Sequence, residues 1–571
     1  MAQENIPQSA TGSTALSSDT SNILISITLA RLSLVIIIWG LLVFGNTLLN
    51  DFVYDDHDVI EENVLITSLH NLPLLFTRDY FAHTIELSYR PLVTFTYFID
   101  YALFDLMPPF YHLFNVLIHI CNALLVMLLL TRMLTMFRIS AAPFSPLLAF
   151  AGALFFLLHP IVTEPVNLIS YREDLLCSGF VIASFLLYLY TRDQKTVFNV
   201  YLPASLLCFF LAMMSKEQAL ALPLFILLFE ALYSCRQRIS SISLRGTLPL
   251  ILFFCIALIY AYLRFVLFVH PHHHIVPVWG GSRLWSLLNF PYVFIFYLRL
   301  IIFPIPLSAD YNMAAVTTFL NPRLVVSILL IIIYILLIIA FIKKNCFMPA
   351  LGLSWFLIFL IPASNVIPLS NPVAERYLYL PLIGFAFFIS WLVGIIVLEP
   401  VSLKPAGIVL RRVFIIMLIL FILYSWRDIR RNEIWRNDLV LWLDTLEHQP
   451  RSLAALRGLG LIYLNECDFV KAEIMLRKAV EIYPNDIKVR NNLAVLYARK
   501  GNLEQAIQQL KSIVSFAPGY APAYYNLARC YTAVKPADFG KAMLYAQKAL
   551  DLGYSVPPDF MKTLKQNLRT K

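Results

Sequence analysis

The sequence predicts an all-α membrane protein, a bundle of about eleven apolar spans followed by a helical-repeat solenoid. Three observations carry that prediction. Hydrophobic residues make up 59% of the 571 and charged residues only 14%, against roughly 25% charged in soluble domains. Apolar runs of about 17 residues or more recur along the first three quarters of the chain. From about Asn437 the runs stop, and a 34-residue repeat takes over.

The first 22 residues are polar and rich in Ser and Thr, with no basic n-region and no small-residue cleavage site. Residues 1–22 therefore read as a disordered cytoplasmic tail, and Leu32–Leu49 as an uncleaved anchor. Further spans follow near 110–131, 144–158, 175–191, 199–215, 217–234, 247–269, 323–342, 347–361, 378–398 and 412–426. Together, residues 23–430 form one membrane domain with a first outer loop at 50–109 and an outer region at 270–322. Leu284–Phe303 is also apolar, but Pro291, Arg299 and Pro304 interrupt it, so it reads as re-entrant or interfacial.

Alternate loops carry the basic residues: Arg132 and Arg138; Arg192 and Lys195; Arg236, Arg238 and Arg245; Lys343 and Lys344; Lys404, Arg411 and Arg412. That pattern marks the cytoplasmic side and accounts for the net charge of +9 without a nucleic-acid partner. With the N-terminus inside, residues 50–109, 159–174 and 270–322 and everything after Trp426 fall on the far side. Six of the eight cysteines lie in or beside apolar segments and none forms a CxxC, so neither a disulfide framework nor a zinc site is expected.

Residues 431–571 read as tetratricopeptide repeats. Tyr463, Tyr497 and Tyr531 recur at 34 (497 − 463 and 531 − 497), with Gly460, Ala494 and Ala528 in step and Pro484 and Pro518 closing two repeats. Small residues where helices touch, an aromatic filling the gap and a closing proline are what a stack of helix pairs needs. The concave face of such a stack ordinarily binds peptide.

Polar residues at membrane depth are costly, and outside the repeats they gather on the far side. The clusters are Asp55-Asp56 with His57 and Asp58; Ser88-Tyr89-Arg90-Pro91; His159 with Glu164, then Tyr171-Arg172-Glu173-Asp174; Lys216-Glu217; and Glu375-Arg376-Tyr377 after Asn371-Pro372. Arginine forks fit phosphate oxygens, so Arg90, Arg172 and Arg376 are candidates to hold an anionic lipid phosphate. Adjacent carboxylates raise each other's pKa, and Asp55 and Asp56 suit either a general base acting on a hydroxyl or ligands of a divalent cation, Mg²⁺ or Mn²⁺. Both roles stay open. The blander reading of the pair is a helix cap ahead of Val59 and Ile60. Adjacent His272, His273 and His274 point apart in an extended loop and read as solvated.

In order along the chain, F-V-Y-D-D-H, S-Y-R-P-L, Y-H-L-F-N-V-L-I-H, H-P-I-V-T-E-P-V, S-K-E-Q, I-P-A-S-N-V and A-E-R-Y-L-Y-L-P, followed by the repeats, resemble the transmembrane and tetratricopeptide-repeat-containing O-mannosyltransferases of the GT-C superfamily. The resemblance implies transfer of a hexose, mannose where known, from a polyprenyl-phosphate carrier to a protein hydroxyl with inversion. It implies a catalytic role for Asp55 and Asp56, with Asp55 as the base and Glu164 beside it. It also implies that Glu375, Arg376 and Tyr377 meet the carrier's phosphate, with Arg90 and Arg172 as further contacts. His159, Asp174, Lys216 and Glu217 complete the candidate set, and the repeats are expected to engage the acceptor protein. The repeat array is shorter than in animal members, and no Asn-x-Ser/Thr sequon occurs. Both point to a bacterial inner membrane with the site in the periplasm; the eukaryotic equivalent is the endoplasmic reticulum lumen. A lipid-linked oligosaccharide ligase, a flippase and a non-enzymatic scaffold are the rival functions. The scaffold leaves the outer carboxylates and arginines unexplained, and a flippase would carry its charges near mid-membrane.

Overall fold

A computed structural model describes residues 18–77, 80, 89–137, 144–194, 196–197, 199–237, 244–268, 278–365, 367–369, 371–398 and 406–569. His272–His274 and the loop cations Arg138, Lys195, Arg238 and Lys404 lie outside them. Among the described residues the chain is helical without a strand, and it divides into two compact units: Met1–Pro304 with Ala315–Glu433, and Ile305–Ala314 with Ile434–Lys571.

The first unit contains α1 (Ser18–Phe44), α2 (Pro91–Phe104), α3 (Pro108–Met136), α4 (Ser145–Leu157), α5 (Arg172–Asp193), α6 (Tyr201–Ser215), α7 (Leu222–Gln237), α8 (Leu244–Tyr262), α9 (Arg283–Ile302), α10 (Pro322–Lys343), α11 (Phe347–Leu360), α12 (Leu382–Leu398) and α13 (Ala406–Ile434). α1 starts inside the expected tail, so 18–22 are helical, and residues 1–17 lie outside the description. Seven helical segments are individually long and apolar enough to cross a membrane, or eight with the bent pair Ser145–Leu157 and Pro160–Asn167. The protein is an integral membrane protein. Small residues bring its helices together, as in lipid, where no hydrophobic drive acts between them. A Cβ on Gly352 would stand 2.5 Å from the Gly384 carbonyl oxygen, and one on Gly152 2.6 Å from that of Ala386.

Side-chain pairs fix which helix ends share a side. At the end that carries the acidic loop, Arg264 meets Glu217, Lys216 meets Asp174, Arg376 meets Glu164 and Arg431 meets Glu375. At the opposite end Arg132 meets Asp193, and Arg236 packs on Phe137 and Phe347. Between Arg264 and Phe347 the chain therefore changes ends once, and α10 makes that crossing. α9 is a continuous 20-residue helix with Pro291 inside it, long and apolar enough to span. Yet Asn289 bonds Val316, just before α10, and Tyr297 and Ile301 bond Ala374 and His159 near the acidic-loop end. Both of its ends thus belong to that one side.

Asparagines tie the start of the acidic loop down. Asn50 Nδ2 donates to Asn167 Oδ1 (2.9 Å) and to the Asn432 carbonyl (3.1 Å), and Asn167 Nδ2 donates to Asn432 Oδ1 (2.7 Å). α13 runs eight residues past Trp426 (434 − 426) to reach this contact, which the span expected at 412–426 had left in the outer segment.

The second unit is a solenoid of α14 (Asp438–His448), α15 (Leu453–Asn465), α16 (Phe469–Ile482), α17 (Ile487–Arg499), α18 (Leu503–Phe516), α19 (Ala521–Ala533), α20 (Phe539–Asp551) and α21 (Pro558–Arg569). Its core contains Ala494, Ala528, Tyr497 and Tyr531, four of the periodic small and aromatic positions, together with Ala472 and Ala506, themselves 34 apart (506 − 472). Side-chain caps start several helices: Asn437 accepts from Val440 N–H, Ser452 from Ala455, Asp468 from Lys471 and Asp486 from Val489. Residues 305–314, sequence-assigned to the outer region, join this unit through Ser452 Oγ to Asp310 (2.6 Å) and Asn312 to the Arg451 carbonyl (3.1 Å).

Candidate active site

A cavity of about 690 Å³ opens at the acidic-loop end of the first unit. Its charged walls are Asp55, Asp58, Glu173 and Glu217 against Arg90, Lys216, Arg264 and Arg376. Tyr54, Tyr171 and Tyr377 line it too, and an apolar wall runs through Phe265, Ile361, Pro362, Ile367, Pro368 and Leu369. Short turns that break the helices at Asp55–Glu61, Lys216–Ala221 and Glu375–Leu378 aim these side chains inward. Tyr54, just before Asp55, holds a left-handed backbone (φ 55°).

Asp55 and Asp56 part company here. Asp55 faces the cavity and accepts from the Tyr171 hydroxyl at 2.9 Å. Burial raises its pKa, and the Arg376 charge and the Tyr171 bond oppose that rise. Asp56 is fully buried and does not line the cavity. Its carboxylate accepts from the backbone N–H groups of Ser170 (2.7 Å), Ile169 (3.4 Å) and Val53 (3.4 Å). Burial lifts its pKa to about 7 against those donors. Neither acid caps a helix: Asp56 precedes the turn His57–Glu61 without a side-chain capping bond. With Asp56 occupied by amides, the two do not converge on one cation, and among the described residues no three His, Cys, Asp or Glu side chains cluster as a metal site.

The remaining candidates separate in the same way. Arg376 lines the cavity with its guanidinium 4.1 Å from the Tyr171 ring centre, while Glu164, buried behind it, accepts from Arg376 N–H (2.7 Å) and its guanidinium (2.8 Å). Tyr377 lines the cavity, bonds the Asn371 carbonyl (3.0 Å) and lies under Lys216 Nζ at 5.3 Å. Lys216 reaches Asp174 (2.6 Å) and Glu173 (3.0 Å). Burial draws its pKa down and those carboxylates more than offset it, so the net shift is upward. Arg90 bridges Glu173 and Glu217. Besides Asp56 and Glu164, four more candidates are turned away from the cavity. Arg172 is buried on Asp100 (2.5 Å), Asn115 (2.7 Å) and Thr96 (3.0 Å). Glu375 pairs with Arg431 (3.2 Å), Asp174 stays behind Lys216, and His159 bonds the Ile301 carbonyl (2.9 Å).

Sequence reasoning missed Arg264, which bonds Glu217 at 2.9 Å. Its signal was available: a lone arginine inside a predicted span is a functional-site flag. Tyr54 and Gln218 gave no such signal.

A tetratricopeptide-repeat profile matches residues 468–529. The chain's homologues are named protein O-mannosyl-transferases. One from Caenorhabditis elegans is 25% identical, covering 75% of this chain and 59% of its own length. The transferase TMTC3 of Mus musculus is 25% identical, covering 90% and 59%, and TMTC1 of Homo sapiens is 26% identical, covering 80% and 55%. The chain thus spans somewhat over half the length of these relatives. Among solved structures, ArnT from Cupriavidus metallidurans bound to undecaprenyl phosphate aligns at 13% identity with a TM-score of 0.35, covering 88% of this chain and 81% of that one.

Proposed function

We propose that this protein transfers a hexose, mannose by the naming of its homologues, from a polyprenyl-phosphate carrier to a protein Ser or Thr hydroxyl on the extracytoplasmic side, with inversion at the anomeric carbon. One observation carries the reading: Asp55 presents a carboxylate held by a hydroxyl group to a cavity where Glu173 and Glu217 share Arg90, Lys216 and Arg264, and Arg376 lines the wall. The apolar wall from Ile361 to Leu369 suits an isoprenoid chain, and Arg90, Lys216, Arg264 and Arg376 suit the phosphate that it carries.

In that reading the acceptor oxygen attacks the anomeric carbon as its proton passes to Asp55. The bond from that carbon to the phosphate oxygen breaks, and the cations stabilise the charge left on the phosphate. Burial raises the Asp55 pKa and so strengthens it as a base. Tyr171 holds the carboxylate, and Glu164 holds Arg376 against the Tyr171 ring. Asp56 fixes the loop through Ser170, a structural task. A divalent cation, were one used, would meet Asp55 without Asp56. The bacterial inner membrane, with the cavity open to the periplasm, is the proposed setting.

The test is sugar transfer from a radiolabelled polyprenyl-phosphate mannose by the purified protein beside Asp55→Asn and Arg90→Gln. Turnover that falls roughly a hundredfold or more in Asp55→Asn fits loss of general-base help. Equal turnover in both, or none with several hexoses and a peptide acceptor pool, sinks the reading.

A further inference from the structure

Apart from the cavity, an open groove of about 810 Å³ lies at the corner where α2 turns into α3. That is the size of a small-molecule site. One wall is Ile66, Thr67 and Leu69 of the acidic loop, and the other is Tyr101–Asp105 with Met107 and Phe110. The groove shares no lining residue with the cavity.

The course of α3 sets its depth in the membrane. The helix runs to Arg132, which pairs with Asp193 at the opposite end. Arg132 lies 22 residues beyond Phe110 (132 − 110), about 33 Å at about 1.5 Å per residue, and the hydrocarbon layer is about 30 Å thick. Phe110 therefore stands at the edge of the hydrocarbon, and Asp105 at the level of the lipid head groups. Along α3, Phe114, Leu117, Cys121 and Leu128 are exposed. At helical spacing they form one lipid-facing stripe that leads up to Phe110. Leu69, Leu103 and Met107 on the groove's walls are exposed apolar side chains as well. The groove thus continues a surface that acyl chains already cover.

Its polar groups are all acceptors. Asp105 is the one charged side chain in the lining among the described residues. Its backbone is left-handed (φ 51°), which residues other than glycine hold only where their surroundings enforce it. The carboxylate accepts from Leu106 N–H (2.9 Å), and among the described residues no cation pairs with it. Thr67 gives its hydroxyl proton to the Val64 carbonyl (2.8 Å), so its oxygen can only accept from a ligand. A carboxylate without a counter-ion at this level repels anionic head groups and attracts an ammonium.

We infer that this groove binds a phospholipid with a primary-ammonium head group, its acyl chains along the α3 stripe and its ammonium donating to Asp105 and Thr67. A primary ammonium has three N–H donors for those acceptors, and a trimethylated one has none. Phe104 and Phe110 stack on each other at 4.2 Å and cover one face of each ring, so they form no open aromatic box for a quaternary head group. A lipid bound there ties the acidic loop, through Ile66–Leu69, to the membrane surface. The inference stands apart from the transfer reading.

The experiment mixes the purified full chain in detergent with equal amounts of palmitoyl-oleoyl phosphatidylethanolamine, phosphatidylcholine and phosphatidylglycerol, and reads retained lipid by native mass spectrometry. Phosphatidylethanolamine is expected to be retained about tenfold or more over the other two, the weight of one charge-assisted hydrogen bond. Asp105→Asn, a residue type that also accepts a left-handed backbone, abolishes that preference. So does Met107→Lys, which sets an ammonium of the chain's own beside Asp105. Glu62→Gln, in an exposed residue of the same loop outside the lining, removes one negative charge and keeps the preference. Equal retention of phosphatidylethanolamine and phosphatidylcholine, preference for phosphatidylglycerol, or a phosphatidylethanolamine preference that survives both groove variants overturns the proposal. Loss in Glu62→Gln overturns it too, since the preference then follows net charge.

Discussion

The two ends of the helical bundle are both rich in charge, yet they are built differently. At the opposite end pairs are local: Arg132 with Asp193, and Arg192 with Glu230, which also accepts from Tyr188. Each ties two neighbouring helices. At the acidic-loop end the charges are shared: Arg90 serves Glu173 and Glu217, and Lys216 serves Glu173 and Asp174. These surround a cavity in which Asp55 is held by a tyrosine. The difference teaches that a count of ion pairs does not mark a site. An acid held by a tyrosine hydroxyl, inside a concave wall of shared cations, does.

Four outcomes break or sharpen that contrast. Glu164→Ala strips Arg376 of its buried partner and is expected to cost about 3–5 kcal/mol in stability, read as a large drop in melting temperature. A small drop makes that pair as dispensable as those at the other end. Asp55→Asn is expected to lower transfer by roughly a hundredfold or more with the melting temperature unchanged. Asp56→Asn should keep most activity, because an amide oxygen still accepts from Ser170 N–H, while Asp56→Ala should cost about 1–3 kcal/mol for the stranded donors. Reversed activity losses for the two asparagine variants would exchange their roles.

The pH response separates the acids as well. Asp55 works deprotonated and its pKa is raised, so transfer should climb with pH along a limb centred above the ordinary carboxylate value of about 4. Asp56, lifted to about 7 in the folded protein, binds its proton more tightly folded than unfolded. Its contribution to stability is present below about 4 and is lost as pH rises to about 7. A flat stability profile over that window, or one unchanged in Asp56→Asn, contradicts this. Arg132→Ala, at the opposite end, should cost about 1 kcal/mol or less and leave the transfer rate alone.

Much of the fold was legible because lipid and helix stacking both impose periods on sequence. Apolar runs gave the helices of the bundle, most within a few residues, though of the eleven spans expected only seven or eight segments are by themselves long and apolar enough to cross, and the tyrosines at 463, 497 and 531 gave the repeats. The site was half legible. Asp55, Arg90, Lys216, Glu217, Arg376 and Tyr377 were flagged and line the cavity, because ionisable residues beside spans stand out. Arg172, Asp174, Glu164, Glu375 and His159 were flagged for the same reason but hold the scaffold. Asp100, the partner of Arg172, sits 72 residues away in sequence, and Arg431, the partner of Glu375, 56 residues away. No local pattern reveals such pairing.

The sequence by itself determined the class, the helices of the bundle, the repeat and the end of the bundle where charge gathers, since each follows from composition and period along one dimension. Only the tertiary structure decided that Asp55 opens to the cavity while its neighbour Asp56 serves three backbone amides. The direction of a side chain at a helix break depends on which distant donors reach it. Ser170 and Tyr171, adjacent in the chain, each claim one of the two acids.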